Sequence, residues 1–206
     1  MAVITISRQF GAGGKTLGEM IAQRLDYTLI NEEFIQLIAK KVKVSTDWVE
    51  SIEKEAGGKF LKFISGLVPK SFVERILDDT RGYIDEEVYV DALHEIINQL
   101  AKEGNTVILG RGGQFILRDH SDALHILLVA DKPDRIEFLQ GRYDLSEKQA
   151  IQTIASEDKR RMNLYRKFGR EDYDNPGLYH LVLNMSKLEM EQAADLVRVL
   201  IPKSES

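Results

Sequence analysis

The stretch ITISRQFGAGGKTLGEMIAQRL at residues 4–25 decides the fold of this 206-residue chain. Residues 3–6 form a short apolar run typical of a buried strand, and apolar positions from Leu17 to Leu25 recur with helical spacing. Glycines at 11, 13 and 14 separate the two patterns. A strand, a glycine-rich turn and a helix together point free backbone N–H groups and the positive helix end at an anion. The stretch therefore predicts a phosphate-binding loop rather than a structural turn.

This loop departs from the usual phosphate-binding pattern G-x-x-x-x-G-K-S/T, and two registers are open. In the literal register, Gly14-Lys15-Thr16 forms the end of the pattern and Gln9 replaces its first glycine. Lys15 would then reach the β- and γ-phosphates of a nucleotide, and Thr16 would contact Mg²⁺.

The second register aligns Gly11-Ala12-Gly13 with the glycines of a G-x-x-G-x-G-K-G-T loop. Arg8 then takes the place of the first glycine, and Gly14 falls where the lysine should be. In this register the cationic role passes to Lys15 or Arg8. The sequence does not choose between the two registers.

Composition excludes several function classes. The net charge of -5 and the pI near 5.5 argue against broad binding to nucleic acid or to an anionic membrane, so an anion site must be local. The chain has no cysteine, signal peptide or apolar stretch of about 20 residues, which leads us to expect an intracellular, cytoplasmic protein. No metal-ligand spacing connects the histidines, each expected to be structural or exposed: His94, His120, His125 and His180.

Strands and helices alternate along the chain, which predicts an α/β fold with a parallel sheet covered on both faces. Helical patterns cover residues 17–25, 32–43 and 88–100 and begin again near Pro133. Ser146 with Gln149 and Ser186 with Glu189 fit capping boxes at helix starts. The predicted strands are residues 3–6, 28–30, 106–109, 124–130 and 181–183.

Two regions interrupt this alternation within what we expect to be a single domain over residues 1–206. Residues 44–85 contain short helical pieces and no convincing strand, so they form a predicted helical insertion. Residues 156–177 are dense in charge, a pattern that is common on solvated helix faces and gains meaning only beside a phosphate loop.

Four segments in the right order resemble the cytidylate kinase-like family of P-loop nucleoside monophosphate kinases. They are ITISRQFGAGGKTLGEMIAQRL at 4–25, GRGGQFILRD at 110–119, DKRRMNLYRKFGRED at 158–172 and YHLVLNMSKL at 179–188. The resemblance implies a three-layer P-loop NTPase fold whose five-stranded parallel sheet has residues 3–6 at its centre. It also implies an NMP-binding insertion at about 44–85 and a LID at about 157–177. One departure is that the Gly-Arg-Asp-x-Gly-Thr segment of cytidylate kinase reads Gly110-Arg111-Gly112-Gly113 here.

The resemblance further implies ATP and Mg²⁺ as cofactors and a nucleoside monophosphate such as CMP or dCMP as acceptor, while the net charge leads us to expect no nucleic-acid or membrane partner. The implied catalytic residues are Lys15, Arg111, Arg160, Arg161 and Arg166. The implied cofactor-binding residues, with Thr16 also the metal ligand, are Arg8, Gly11, Ala12, Gly13, Gly14, Lys15 and Thr16.

The arginines have distinct expected roles. Arg111 would clamp the acceptor phosphate, a task for which a planar guanidinium suits better than an ammonium. Arg160, Arg161 and Arg166 do not share one narrow helix face, and Arg161 is expected to point at phosphate because Asp158 precedes it by three residues.

Two other function classes remain open at this stage. One is a P-loop kinase that phosphorylates a small-molecule hydroxyl, which would need a carboxylate base near the acceptor. The other is a nucleotide-binding regulator that keeps the fold without turnover. The sequence leaves the acceptor and the oligomeric state open.

Overall fold

The structure, a computed structural model, describes residues 2–31 and 86–201. Within these residues the chain forms a five-stranded parallel sheet with the strand order β2-β3-β1-β4-β5. The sequence prediction of such a sheet, with the first strand at its centre, is confirmed. The strands are β1 Val3–Arg8, β2 Thr28–Ile30, β3 Thr106–Leu109, β4 Ala123–Val129 and β5 Leu181–Asn184.

Helices cover both faces of this sheet. A first core lies between the sheet and α2, and a second lies between the sheet and helices α1 and α6. Val3 belongs to the first core, whereas Ile4 and Ile6 belong to the second, so β1 is buried on both faces and reads as a continuous apolar run. The helices are α1 Gly14–Leu25, α2 Glu86–Glu103, α3 Gly113–Ile116, α4 Lys132–Tyr143, α5 Glu147–Lys167 and α6 Met190–Leu200.

One of the two predicted capping boxes is confirmed and the other is wrong. Ser146 caps α5, with its side chain and that of Gln149 each accepting from the other residue's backbone N–H. Helix α6 begins one turn later than predicted, because Glu189 and Gln192 form its capping box. The Ser186 hydroxyl is used elsewhere, since it accepts a hydrogen bond of 2.7 Å from the backbone N–H of Asp131.

His125 lies in the core and has a structural role, as the sequence led us to expect. Its Nε2 donates to the carbonyl of Leu117 at 3.2 Å, which leaves Nδ1 to accept from the Thr5 hydroxyl at 2.8 Å. Burial, with a smaller effect from the charge of His180, lowers the pKa of His125 to about 4. The imidazole is therefore neutral at physiological pH and joins β1 to β4.

Several sequence predictions lie outside the described residues. These are the helix at 32–43 and the NMP-binding insertion at 44–85, both of which stay predictions. Of the helices formed by residues 2–31 and 86–201, none has the length and apolar character to cross a membrane.

Candidate active site

The glycine loop follows β1 and leads directly into α1. Gly11 and Gly13 have φ angles of 89° and 80°, a left-handed conformation that L side chains rarely adopt. Gly13 is the N-cap residue of α1, and Gly14 is its first helical residue. The loop therefore ends at a helix N-terminus, where free N–H groups and the helix dipole favour an anion.

Gln9 has a structural role at the position where the literal register lacks its glycine. Its backbone N–H donates to the carbonyl of Leu128 at 3.0 Å, and its side-chain oxygen accepts from the N–H of Ala130 at 3.1 Å. These bonds extend the β1–β4 pairing into the loop. The start of the loop is thus fixed to the end of β4 by a side chain that glycine lacks.

A clamp formed by Phe10, Arg135 and Asp158 holds the loop backbone. The Phe10 N–H donates to Asp158 Oδ1 at 3.1 Å, and its carbonyl accepts from Arg135 Nε at 2.6 Å. Arg135, which is only 8 % exposed, pairs with Asp158 at 2.5 Å. The expectation that Asp158 orients Arg161 is therefore wrong, because both carboxylate oxygens of Asp158 are directed to the loop and to Arg135.

A second loop, between β3 and α3, carries Arg111. Gly110, Arg111 and Gly112 have successive φ angles of 73°, 58° and 74°, so this arginine adopts a left-handed conformation that is uncommon for a residue with a side chain. A Cβ on Gly112 would lie 2.8 Å from the ring of Phe168. An aspartate at this position, as in cytidylate kinase, would therefore collide with Phe168.

Two cavities adjoin these loops. The smaller, of about 180 Å³, lies on the glycine loop, and the larger, of about 430 Å³, lies between that loop, Arg111 and α5. Arg8 and Phe10 line both cavities, which are therefore neighbours. The smaller cavity is lined by Arg8, Phe10, Gly11, Gly13, Gly14, Lys15, Thr16, Asn31, Leu109, Phe138, Leu139 and Tyr143. The larger is lined by Arg8, Phe10, Arg111, Ser156, Glu157, Lys159, Arg160, Arg161, Asn163, Leu164 and Tyr165.

Positive charge is concentrated in the larger cavity. Its lining includes five cationic side chains, while Glu157 is its one carboxylate among the residues that the structure describes. The chain as a whole is acidic, with a net charge of -5. This local excess of positive charge fits the sequence prediction of a local anion site. The five cations are Arg8, Arg111, Lys159, Arg160 and Arg161.

Arg161 is held by several contacts at the wall of this cavity. It pairs with Asp174, and its guanidinium lies 4.9 Å from the ring centroid of Tyr173 and 5.5 Å from that of Tyr165. Burial opposes its charge, but the oxygens of Tyr165 and Asp174 outweigh burial and raise the pKa of Arg161. Its Nε is buried without a hydrogen-bond acceptor within the described part of the chain. Arg161 is thus a fixed, fully charged donor at the cavity wall.

Tyr165 anchors α5 beneath the larger cavity. It is 1 % exposed, and its hydroxyl lies 3.0 Å from the hydroxyl of Ser7 at the end of β1. Its ring packs edge-on against Phe115 at 5.4 Å. These contacts fix the backbone of α5 to the central strand.

The structure brings together four of the five predicted catalytic residues. Arg111, Arg160 and Arg161 line the larger cavity, and Lys15 lines the smaller one. Arg166 lines neither cavity, and its Nε lies 3.8 Å from Glu171, with its side chain 55 % exposed. All seven predicted cofactor-binding residues belong to the glycine loop or its flanks, and all but Ala12 line the smaller cavity.

Sequence reasoning missed the residues that hold the site in place. Arg135, Tyr165 and Asp174 contact partners 125, 158 and 13 residues away in the chain, respectively. No local motif marks such pairs. For Tyr165 and Asp174 the signal was the charge-dense run at residues 156–177, whereas Arg135 lies outside that run.

Comparison with known proteins is consistent with this geometry. A model of the cytidylate kinase-like family matches residues 3–187. The chain belongs to the cytidylate kinase-like family. Membership confirms the predicted P-loop NTPase fold and makes the chain a P-loop kinase in the broad sense. No curated protein sequence matches the chain.

Solved structures align with the chain at low sequence identity. An uncharacterized protein from Eubacterium ventriosum ATCC 27560 aligns with a TM-score of 0.67 at 20% identity over 97% of each chain. A shikimate kinase from Bacteroides thetaiotaomicron aligns with a TM-score of 0.49 at 14% identity over 97% of each chain. For a gluconokinase from Sinorhizobium meliloti 1021, the TM-score is 0.47 at 12% identity, over 96% of this chain and 93% of the other.

Proposed function

We propose that this family member transfers the γ-phosphoryl group of ATP to a nucleoside monophosphate, most simply CMP or dCMP. The observation that carries the proposal is the pair of adjoining cavities, one on a glycine loop and one lined with arginine. A phosphoryl donor and a phosphate acceptor need two anion sites that meet at one point.

The smaller cavity suits the phosphates of the donor. Loop N–H groups and Lys15 would bind them, and the Thr16 hydroxyl would contact the Mg²⁺ that accompanies ATP. Among the described residues, no group of three or more histidines or carboxylates could hold a metal ion. This fits Mg²⁺, which proteins commonly bind through one or two side chains together with substrate phosphates. The ion would offset negative charge on those phosphates.

The larger cavity suits the phosphate of the acceptor. Arg111 reaches it from the β3–α3 loop, while Arg160 and Arg161 reach it from α5. Guanidinium groups can form two parallel hydrogen bonds to one phosphate, which fixes the orientation of the acceptor as well as its position. The rigid pairing of Arg161 with Asp174 keeps one of these donors in place before substrate arrives.

The chemistry of the lining favours a phosphate acceptor over a hydroxyl acceptor. A phosphate oxygen is already anionic and needs no general base, whereas a hydroxyl needs a carboxylate within hydrogen-bond reach. Glu157 is the only candidate base among the described residues that line the larger cavity. It already lies 3.8 Å from Arg160. A substitution of Glu157 therefore distinguishes a kinase with a phosphate acceptor from one with a hydroxyl acceptor.

The test incubates the protein with ATP, Mg²⁺ and each of CMP, dCMP, UMP, AMP and GMP, and identifies the product by chromatography. We expect CDP or dCDP. Arg111→Ala should lower kcat/KM about 100-fold or more, because it removes a charged donor from the acceptor phosphate. Glu157→Gln should stay within about threefold of the wild type. Arg118→Ala, an exposed arginine that lines neither cavity, is the matched control.

Two results would overturn the proposal. Phosphorylation of a sugar or other hydroxyl compound that is lost in Glu157→Gln would indicate a hydroxyl kinase. ATP binding without transfer to any acceptor would indicate a nucleotide-binding protein without turnover.

A further inference from the structure

Arg8 leaves the end of β1 and crosses the space between the two loops of the site. An ideal Cβ on Gly14 would lie 2.8 Å from Arg8 Cγ and 3.2 Å from its Cβ and Cδ. A Cβ on Gly110 would overlap Arg8 Nη1. The aliphatic part of Arg8 therefore covers Gly14, and its guanidinium reaches the loop that carries Arg111.

This contact with Arg8 explains why residue 14 is a glycine. Gly14 is the first residue of α1 and lacks the positive φ of Gly11 and Gly13, so its backbone does not require glycine. The nearest atoms to a side chain at this position all belong to Arg8. Gly14 thus makes room for Arg8.

The conformation of the loop also favours the second register. The glycines with positive φ are Gly11 and Gly13, the two that this register aligns with the glycines of a G-x-x-G-x-G-K-G-T loop. In that alignment residue 14, the first residue of α1, falls at the lysine position. Lys15 is the next helical residue, rotated by about 100° around the helix axis, and is exposed. Lys15 therefore does not occupy the lysine position of the second register. The side chain of Arg8 lies over that position, which Gly14 occupies.

We propose that Arg8 supplies the cation that a phosphate-loop lysine supplies elsewhere, and that it contacts the phosphoryl group in transfer. The contact during transfer rests on the proposed function, whereas the role of Arg8 as a phosphate-binding cation requires only a polyphosphate ligand. Arg8 lines both cavities, so its side chain lies between the proposed donor and acceptor sites.

The reaction at this point needs charge stabilisation and no proton from Arg8. The bond between the γ-phosphorus and its bridging oxygen breaks, and ADP leaves with that electron pair. An oxygen of the acceptor phosphate forms the new bond to phosphorus, which gives a nucleoside diphosphate. Arg8 stays protonated and donates hydrogen bonds to the non-bridging oxygens, where negative charge is spread in the transition state.

The experiment moves the cation back to the lysine position. Four variants are compared with the wild type: Arg8→Gly, Arg8→Gln, Gly14→Lys and the double variant Arg8→Gly with Gly14→Lys. Two readouts are used, the Kd for inorganic tripolyphosphate with Mg²⁺ by calorimetry, and the rate of CMP phosphorylation. Gly141→Lys is the matched control, since it adds the same residue to a helix at a place where a Cβ meets no atom within 4 Å.

We expect Arg8→Gly and Arg8→Gln to weaken tripolyphosphate binding at least about tenfold and to slow transfer about 100-fold or more. Gly14→Lys alone should also lose binding, because its Cβ would collide with Arg8. The double variant should bind at least about tenfold more tightly than Arg8→Gly, since the lysine then enters the space that Arg8 vacates.

The inference is overturned if Arg8→Gln binds tripolyphosphate as the wild type does, or if the double variant is no better than Arg8→Gly. Arg8→Gln keeps most of the side-chain volume, so it remains informative if Arg8→Gly unfolds. A wild type that binds tripolyphosphate but phosphorylates no nucleotide would contradict the proposed function alone. In that case the binding readout still decides the role of Arg8.

Discussion

Asp158→Asn tests whether the clamp on the glycine loop is an energetic requirement of the fold. The substitution keeps the shape of the side chain and an oxygen for the Phe10 N–H, which donates to Asp158 Oδ1 at 3.1 Å. It removes the charge that faces Arg135 at 2.5 Å. Arg135 would then be a buried cation without its counterion.

The expected magnitude follows from the exposure of the two side chains. Removing one partner of a fully buried ion pair costs about 3–5 kcal/mol. Here the Arg135 side chain is 9% exposed and that of Asp158 is 35% exposed, so water screens part of the effect. We therefore expect Asp158→Asn to lower the free energy of unfolding by about 2–3 kcal/mol.

The assay is urea unfolding at pH 7, with the free energies compared at an unchanged m value. The neighbouring pair of Glu157 and Arg160, at 3.8 Å with side chains 32% and 55% exposed, supplies the control. Glu157→Gln should cost less than about 1 kcal/mol. Adding Arg135→Met to Asp158→Asn removes the stranded charge and should recover at least about 1 kcal/mol. The reasoning is refuted if Asp158→Asn stays within about 0.5 kcal/mol of the wild type, or if the double variant recovers nothing.

Two further predictions concern pH and backbone strain. The pKa of His125 falls to about 4 from an ordinary 6.5, so the folded protein favours the neutral imidazole. The contribution of this preference to the free energy of unfolding is therefore complete above pH 6.5 and is lost as the pH falls towards 4. Urea unfolding should therefore show a loss of about 2 kcal/mol between pH 7.5 and pH 5 that disappears in His125→Gln. The loss should persist in the control His94→Gln, which replaces a partly buried histidine whose charge does not act on His125. Arg111→Gly should increase the free energy of unfolding by up to about 1 kcal/mol and so raise the thermal midpoint, because glycine tolerates the φ of 58° at this position. The same variant should phosphorylate CMP more slowly than the wild type. A lower midpoint for Arg111→Gly would show that the arginine stabilises its own loop.

The sheet was predictable chiefly because β1, β3 and most of β4 are buried on both faces, although the edge strand β5 exposes Val182 and Asn184. Residues such as Ile4 and Ile6 have no solvent-facing neighbour to alternate with, so the strands stand out as apolar runs. Helix boundaries were less predictable where a side chain had a better partner elsewhere. Ser186 matches a capping pattern, but its hydroxyl accepts from Asp131 and Glu189 caps the helix instead.

The candidate site was predictable where its chemistry lies in local motifs. Lys15 and Arg111 each follow a strand and lie beside glycines, and this arrangement predicts a phosphate site from the sequence itself. The partner of Arg161 could not be predicted from a local motif. Asp158 is one helical turn away in sequence, yet Asp174, beyond the end of α5, is the residue that holds Arg161. Such pairs depend on how α5 packs on the sheet and the loop.

Helix α5 is held at two points along its length. Asp158 bonds to the glycine loop and Tyr165 to Ser7, and these anchors are seven residues apart, or roughly 10 Å along the helix. Arg160 and Arg161 lie between them, on backbone that cannot swing without breaking one of these contacts. The entropic cost of ordering that backbone is therefore incurred during folding and not each time substrate binds.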